Sequence, residues 1–187
     1  MFTKNNIPQK IERPELDELI PHRGKMMLLS RITGFDAEAG FVNTEFDITE
    51  DCIFYDEELG GIPSYSSFEI MAQGISVLSS IKKIIRCNTD PASPGVILSV
   101  SSFSSKTDVL KCGTTLRMTV KEDYGSDGIF KYDCELFADA EKDDDGKAGA
   151  ASASGTGPAS GSSPAEPDVQ VSITVMEMKN IKERLES

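Results

Sequence analysis

The sequence contains a single histidine, His22, among 187 residues. Any imidazole that this chain supplies to a site is therefore that of His22. Its four cysteines, Cys52, Cys87, Cys112 and Cys134, are far apart and form no C-x-x-C pair. That spacing excludes a zinc-ligand pattern and a convincing disulfide framework. We expect four reduced thiols, no metal ion and no cofactor.

Basic residues are scarce. Lysine and arginine total 19 against 31 acidic residues, which gives a formal net charge of -12. Such a chain lacks the basic surface that nucleic-acid binding requires. An acidic protein partner would need locally gathered positive charge. The candidate clusters, each also interpretable as solvated surface, are Arg23, Lys25 and Arg31, or Lys82, Lys83 and Arg86.

Long uninterrupted hydrophobic runs are missing as well. The most apolar segment, residues 69–85, is broken by Glu69, Gln73 and two adjacent lysines, so it does not fit a transmembrane helix. Residues 1–6 lack the apolar core of a signal peptide. We therefore expect no membrane association and a cytoplasmic protein.

The length and a hydrophobic content of 39% suit one sizeable core. We predict a single domain over residues 1–187 with an insertion at about 139–168. Most of that insertion consists of Ala, Gly, Ser, Pro and Thr, a composition typical of a flexible loop. The strands on either side of it would pair as a long hairpin.

Strand patterns dominate the remainder of the chain around one main helix. A short N-terminal helix is expected at residues 14–20, with proline at its start. A Pro-containing segment at 90–94 ends the main helical region. Alternating or apolar runs predict strands at 27–34, 40–47, 95–103, 114–122, 129–137 and 169–175. This order of elements indicates an α+β fold.

The main helix is apolar in nearly every direction, as expected for a buried helix. Its polar residues nevertheless fall on one line, since Glu69, Gln73, Ser76 and Ser80 follow i, i+4, i+7 and i+11 spacing. We call these four residues the polar stripe. The stripe is either a solvated edge or one wall of a site.

Glu69 also has a purely structural interpretation. The pattern Ser66-x-x-Glu69 fits a capping box, in which the serine and the glutamate satisfy two backbone amides at the start of a helix. On spacing alone, this role is commoner than a catalytic one.

The segment around Glu69 resembles a known motif. Pro63, followed six residues later by Glu-Ile-Met-Ala-Gln at 69–73, is similar to the Pro-Gly-x-x-x-x-Glu-Ala-Met-Ala-Gln segment of the beta-hydroxyacyl-acyl carrier protein dehydratases. The glutamate is catalytic in that family. The resemblance therefore implies a catalytic Glu69.

Two further stretches extend the resemblance over about residues 19–137. Leu-Ile-Pro-His-Arg at 19–23 resembles the Leu-Pro-His-Arg start of those enzymes, and residues 95–116 resemble their later strands. The subgroup most similar to the chain is the dehydratase-like proteins of aryl polyene biosynthesis. The resemblance implies the hot-dog fold, a long helix wrapped by a curved antiparallel sheet, with sites built across a dimer interface.

One departure from the family concerns its usual catalytic histidine. That histidine stands fourteen residues before the glutamate, where this chain has Tyr55. Tyr55 can donate a hydrogen bond but is a poor base near neutrality. The remaining imidazole, His22, has either a structural role between the first helix and the first strand or a chemical role in the site.

Dehydration of a 3-hydroxyacyl thioester requires a base, an acid and donors to the thioester oxygen. Glu69 is the candidate acid and His22 the candidate second catalytic group. The backbone amides of Gly60 and Gly61 are candidate donors, although a simple turn explains these glycines equally well. We expect Tyr55, Gly60, Gly61, Pro63 and Gln73 to contribute to substrate binding, with no metal involved.

Several functional alternatives stay open at this point. The chain is a dehydratase acting as a homodimer, a subunit whose hot-dog partner supplies a histidine, or a noncatalytic partner subunit. A hot-dog thioesterase, with Glu69 activating water, is a further alternative. The expected ligand is a thioester of acyl carrier protein or coenzyme A, within fatty acid or polyene biosynthesis.

Overall fold

The structure is a computed structural model that describes residues 2–87, 95–139 and 165–177. It contains the helices α1 (Arg13–Leu16) and α2 (Ser67–Ile85), with short 3-10 turns at Gly24–Met26 and Ser64–Ser66. The strands are β1 (Ile11–Glu12), β2 (Arg31–Asp36), β3 (Phe41–Asp47), β4 (Gly61–Pro63), β5 (Gly95–Ser105), β6 (Val109–Lys111), β7 (Thr115–Ser126), β8 (Ile129–Ala138) and β9 (Val169–Glu177).

Seven of the strands form one antiparallel sheet in the order β1-β2-β3-β7-β8-β9-β5, while β4 and β6 pair separately. Strands such as β3 and β9 alternate fully buried positions with more accessible ones, because one face of the sheet packs on a core. A large antiparallel sheet around one long helix confirms the predicted α+β, hot-dog fold.

Helix α2 lies in the core of this arrangement. None of its 19 residues is exposed, and its apolar side chains pack against β3, β7 and β9. Gly74 permits the closest approach, since a Cβ there would lie 2.9 Å from a methyl group of Val120 in β7. The helix that the hydrophobic pattern predicts is confirmed, and its burial fixes the direction of the polar stripe.

The region between α1 and β2 departs from the prediction. Helix α1 ends at Leu16 rather than at Ile20, and residues 17–19 form turns. Pro21 disfavours helical backbone at Ile20, the residue before it. The first long strand begins at Arg31 rather than at residue 27. The backbone amide of Leu28 donates to a side chain of α2 instead of to a neighbouring strand. The amide of Leu28 is therefore paired with Gln73 and is unavailable to a strand partner.

The other predicted strands are confirmed with small shifts at their ends, whereas the short β1, β4 and β6 were not predicted. Strands β8 and β9 pair from Ile129 opposite Met176 to Leu136 opposite Val169. The predicted hairpin across the insertion is therefore formed. Most of the insertion, residues 140–164, and the terminal turn expected at 179–186 lie outside the described residues.

The four cysteines are free thiols, as the sequence predicts. Burial raises the pKa of Cys134 to about 12. Within the described ranges, no helix is both long enough and apolar enough to cross a membrane. The same residues include no group of three His, Cys, Asp or Glu side chains placed to hold a metal ion.

Candidate active site

The two ionisable side chains singled out by sequence meet in the structure. His22 Nε2 lies 3.9 Å from Glu69 Oε1. The imidazole is 27% exposed and the carboxylate 24% exposed, so both groups are accessible from solvent. His22 Nδ1 is buried and has no hydrogen-bond partner among the described residues. A base and an acid separated by 47 positions are thus brought to one place.

His22 and Glu69 line a cavity of about 250 Å³. One wall is the face of α2 that runs from Glu69 through Ser76 to Lys83. The opposite wall comes from the ends of β5 and β9, including Ile97 and Glu177. The ionisable pair therefore opens onto a space with both apolar and hydroxyl-bearing walls. A cavity with a few convergent polar groups is the usual form of a small-molecule site.

The predicted capping box is wrong. Ser66 has helical backbone angles and caps α2 with no side-chain hydrogen bond. Its hydroxyl donates instead to the carbonyl oxygen of Pro63 at 2.7 Å. The cause is the 3-10 turn Ser64–Ser66, which leads directly into α2 and turns the serine side chain back along the chain. Glu69 is therefore free of the capping role and faces the cavity.

His22 lies in the segment 17–30, which connects α1 with β2. Arg23 braces this segment, since its guanidinium donates to the carbonyl oxygens of Asp17 at 2.8 Å, Ile20 at 2.6 Å and His22 at 2.7 Å. Three carbonyl groups without a strand partner are satisfied in this way. Arg23 therefore fixes the backbone that carries the imidazole of His22.

Three of the four polar-stripe residues, Glu69, Ser76 and Ser80, line the cavity, so this part of the stripe is a wall of the site and not a solvated edge. Glu69 faces His22, and Ser80 Oγ donates to the carbonyl oxygen of Leu19 at 2.5 Å. Gln73 is fully buried and bonds the backbone of the His22 segment with both ends of its amide. Although Gln73 was expected to contact substrate, its side-chain amide contacts the protein and is absent from the cavity lining.

The expected thioester-binding glycines lie where a tight turn leads into β4, with Gly60 in the turn and Gly61 the first residue of the strand. The amide of Gly60 donates to the carbonyl oxygen of Glu57, and that of Gly61 to Asp56. Both amides are thus already paired in this conformation. A Cβ on Gly61 would lie 2.2 Å from the carbonyl oxygen of Leu110, so a glycine is required where β4 pairs with β6.

Pro63 and Tyr55 are also placed outside the cavity lining. Pro63 ends β4 and pairs with Val109. Tyr55 lies in the turn region before β4, where its amide donates to Cys52. Its pKa is raised by partial desolvation and by nearby carboxylates such as Glu50. The structure therefore brings His22 and Glu69 together and leaves Tyr55, Gly60, Gly61 and Pro63 apart from them.

The first predicted basic cluster is largely neutralised. Arg31 binds Glu45 at 2.7 Å and also binds Asp47. Arg23 lies 3.7 Å from a carboxylate oxygen of Asp17. An acidic partner would therefore meet little net positive charge at this cluster.

The second basic cluster follows the same pattern. Lys82 pairs with Glu122 at 2.8 Å, and Lys83 lies 3.6 Å from Glu177. Lysines that pair within the chain contribute little to the attraction of an acidic partner. The ion pairs of Arg31, Lys82 and Lys83 therefore reduce the positive charge that the two clusters present to an acidic carrier protein.

Some cavity residues were missed by sequence reasoning. Ser79 and Lys83 follow Glu69 by ten and fourteen positions, which places them on the same helical face. That spacing could have revealed them. Glu177 and Ile97 come from strands far from α2 in sequence, and no local signal could have joined them to this site.

Comparison with known proteins finds one matching family. The model of the ApeP-like family, described as ApeP dehydratase, matches residues 14–154, which is more than half of the chain. Comparison with curated protein sequences finds no match.

Solved structures give a second comparison. The chain is similar to a structure of the dehydratase heterocomplex ApeI:P from Xenorhabdus doucetiae, with a TM-score of 0.67 and 16% identity over 91% of this chain and 95% of that one. It is also similar to the E. coli PaaI protein from the phenylacetic acid degradation operon, with a TM-score of 0.49 and 10% identity over 78% and 81% of the two chains. The first likeness supports the hot-dog fold.

Proposed function

We propose that this chain, which belongs to the ApeP-like dehydratase family, removes water from 3-hydroxyacyl thioesters with His22 and Glu69. The observation that carries the proposal is the 3.9 Å separation between His22 Nε2 and Glu69 Oε1 at the wall of a cavity. In this arrangement, an acid and a base face one small-molecule space.

The proposed reaction divides the work between these two groups. His22 removes the proton from C2, the carbon next to the thioester carbonyl. The C2–H electrons form the C2=C3 double bond as the C3–O bond breaks, and Glu69 protonates the departing hydroxyl. Because C2 and C3 are only about 1.5 Å apart, one base and one acid about 4 Å apart can reach both centres.

The position of His22 supports its assignment as the base. The family's usual histidine is replaced by Tyr55, which lies outside the cavity lining. His22 instead approaches Glu69 from the segment before β2 and within the same chain. The imidazole that the reaction requires is therefore available from this chain.

We further propose that a second hot-dog subunit pairs along β5, as a copy of this chain or a related one. Strand β5 is an edge strand of 11 residues. Its exposed apolar side chains, Val96, Leu98, Val100 and Phe103, are between 39% and 49% exposed. A long apolar edge of this kind needs a covering partner. The similar Xenorhabdus structure is that of a heterocomplex.

The proposed substrate is a thioester of acyl carrier protein or coenzyme A, in fatty acid or polyene biosynthesis. The cavity supports a small acyl group, while the neutralised lysines and arginines favour neither carrier. The assay below distinguishes dehydration from a thioesterase activity and from a noncatalytic role.

The test follows 3-hydroxyacyl thioesters of both carriers by mass spectrometry with the purified full chain. Wild type should yield product lighter by one water, and Glu69→Gln should slow this by about 10²- to 10⁴-fold. The matched control Glu135→Gln changes an exposed carboxylate on β8 and should keep full activity.

Other outcomes contradict the proposal in distinct ways. Release of free acid by wild type, lost in Glu69→Gln, would identify a thioesterase. Folded wild-type chain that leaves every substrate unchanged by itself would contradict the proposal. Activity that appears only with an added hot-dog partner and is lost in Glu69→Gln would indicate a site completed by the partner, and activity with the partner that Glu69→Gln leaves intact would indicate a noncatalytic subunit.

A further inference from the structure

We infer that Gln73 is a positioning residue that sets the distance between His22 and Glu69 by tying the His22 segment to α2. The inference rests on the proposed function for its catalytic meaning, while the positioning itself can be measured without turnover. Gln73 lies one helical turn after Glu69 on α2, so the two side chains share one face of the helix.

The amide of Gln73 is used at both ends. Its Oε1 accepts from the backbone N–H of Leu28 at 3.0 Å, and its Nε2 donates to the carbonyl oxygen of Met26 at 2.8 Å. The side chain is fully buried. Reversing the amide would set a donor against a donor and an acceptor against an acceptor, so the two bonds admit a single orientation.

A second tie lies on the other side of His22. Ser80 Oγ donates to the carbonyl oxygen of Leu19 at 2.5 Å. Side chains of α2 therefore form hydrogen bonds with the chain before and after the histidine, at Leu19 and at residues 26–28. The first strand bonds of this region begin only at Ser30, whose amide donates to Glu45.

Most residues of the polar stripe contact the segment that carries His22. Three of its four members, Glu69, Gln73 and Ser80, contact the segment that carries His22. Ser76, the fourth, bonds within the helix to the carbonyl oxygen of Ala72. Gln73 makes two of the ties and is the more buried residue, so its loss should move the imidazole most.

The expected effect on catalysis follows from geometry. A displacement of about 1 Å can cost about 10²-fold in rate. We expect Gln73→Leu, which removes both bonds at similar volume, to lower kcat by about 10²-fold while KM changes little. If Gln73 served only folding, its replacement would lower the melting temperature without lowering kcat at an unchanged KM.

The direct measurement is NMR of the imidazole in full-length protein labelled at histidine. Because His22 is the only histidine, its ring gives one assignable set of C–H signals. Gln73→Leu should shift or broaden these signals relative to wild type. The control Thr119→Val removes a side-chain hydrogen bond of 3.0 Å to Asn43 in the sheet and should leave them unchanged.

Gln73→Glu adds a conservative rescue. A protonated carboxyl can donate to Met26 and accept from Leu28, whereas an ionised one opposes the Met26 carbonyl oxygen. Burial raises the pKa of such a carboxyl above about 4.3. Compared with wild type at each pH, the variant should give wild-type ring signals in acid and approach those of Gln73→Leu as pH rises.

Unchanged ring signals in folded Gln73→Leu would overturn the inference and leave Gln73 with a folding role alone. Displaced ring signals together with an inactive wild-type chain would support the positioning role and overturn the proposed function. The two failures are therefore separate.

Discussion

At the scale of single residues, the decisive relation is the pairing of His22 with Glu69. A motif resemblance predicted Glu69, and the scarcity of histidine predicted His22. Their proximity could not be predicted, because it depends on the path of residues 17–30 across α2. Only the structure gives the 3.9 Å separation of the two side chains.

Residue type alone does not determine a residue's role, as Gln73, Gly60 and Gly61 show. Each was expected to bind substrate, and the structure shows their polar groups bonded within the protein. Sequence reveals which groups can donate or accept, whereas the fold decides which are already paired. Substrate contacts by these residues stay a prediction.

A double substitution tests whether His22 and Glu69 act as a unit. We expect His22→Ala with Glu69→Gln to be no slower than the slower single variant, because groups that work in one step give non-additive losses. The measurement is the dehydration rate of the four chains under identical conditions. Losses that multiply would show that the two residues act independently.

At the scale of elements, α2 carries Glu69, and β4 with the 3-10 turn Ser64–Ser66 leads into this helix. The helix and its polar stripe were predictable from a 3.6-residue period. The absence of the capping box could not be predicted, because it depends on the 3-10 turn before the helix, which gives Ser66 helical backbone angles. Short strands such as β4 and β6 also escaped prediction, since three residues carry too little pattern.

The pairing of β4 with β6 gives a prediction about stability. Gly61→Ala should destabilise the fold by about 1–3 kcal/mol or more, because its Cβ would overlap the carbonyl oxygen of Leu110. Thermal unfolding followed by circular dichroism measures the change. Gly95→Ala, with no atom within 4 Å of its Cβ, is the control. Equal melting temperatures for the two variants would refute this account of Gly61.

At the scale of the whole molecule, the sheet and the helix were predictable from alternation and motif order. Sheet order was not readable from local pattern, because β5 lies beside β9 at the edge. The resemblance supplied what periodicity could not, namely the wrapping of the sheet around one helix.

The exposed edge of β5 leads to a prediction about assembly. Val100→Lys should weaken subunit association, since a charge on an apolar edge opposes pairing with another strand. Sedimentation velocity of the purified chain, with and without a partner subunit, would report it. Tyr124→Lys alters an exposed aromatic residue on β7, away from this edge, and should leave association intact. Unchanged association in Val100→Lys would place the interface elsewhere.

We propose a single domain over residues 1–187, interrupted by the insertion at about 139–168. Asp168 bonds Leu136 and Ala138 through its amide and carboxylate, so β8 and β9 are joined at the base of the insertion. Replacing residues 140–164 by a short Gly-Ser linker should keep activity and leave stability unchanged or higher by about 1 kcal/mol. Melting temperature and the dehydration assay test this, and loss of folding would contradict it.

The central claim is that one chain holds both catalytic groups, and subunit mixing tests it most directly. Chains carrying His22→Ala and chains carrying Glu69→Gln are co-expressed, and water loss from a 3-hydroxyacyl thioester is followed by mass spectrometry beside wild type. We predict full activity for wild type, and for the mixture only the strongly reduced activity of the single variants, since no mixed assembly regains both groups in one chain. Activity in the mixture well above that of both single variants would contradict the claim and place the two groups of each working site on different subunits.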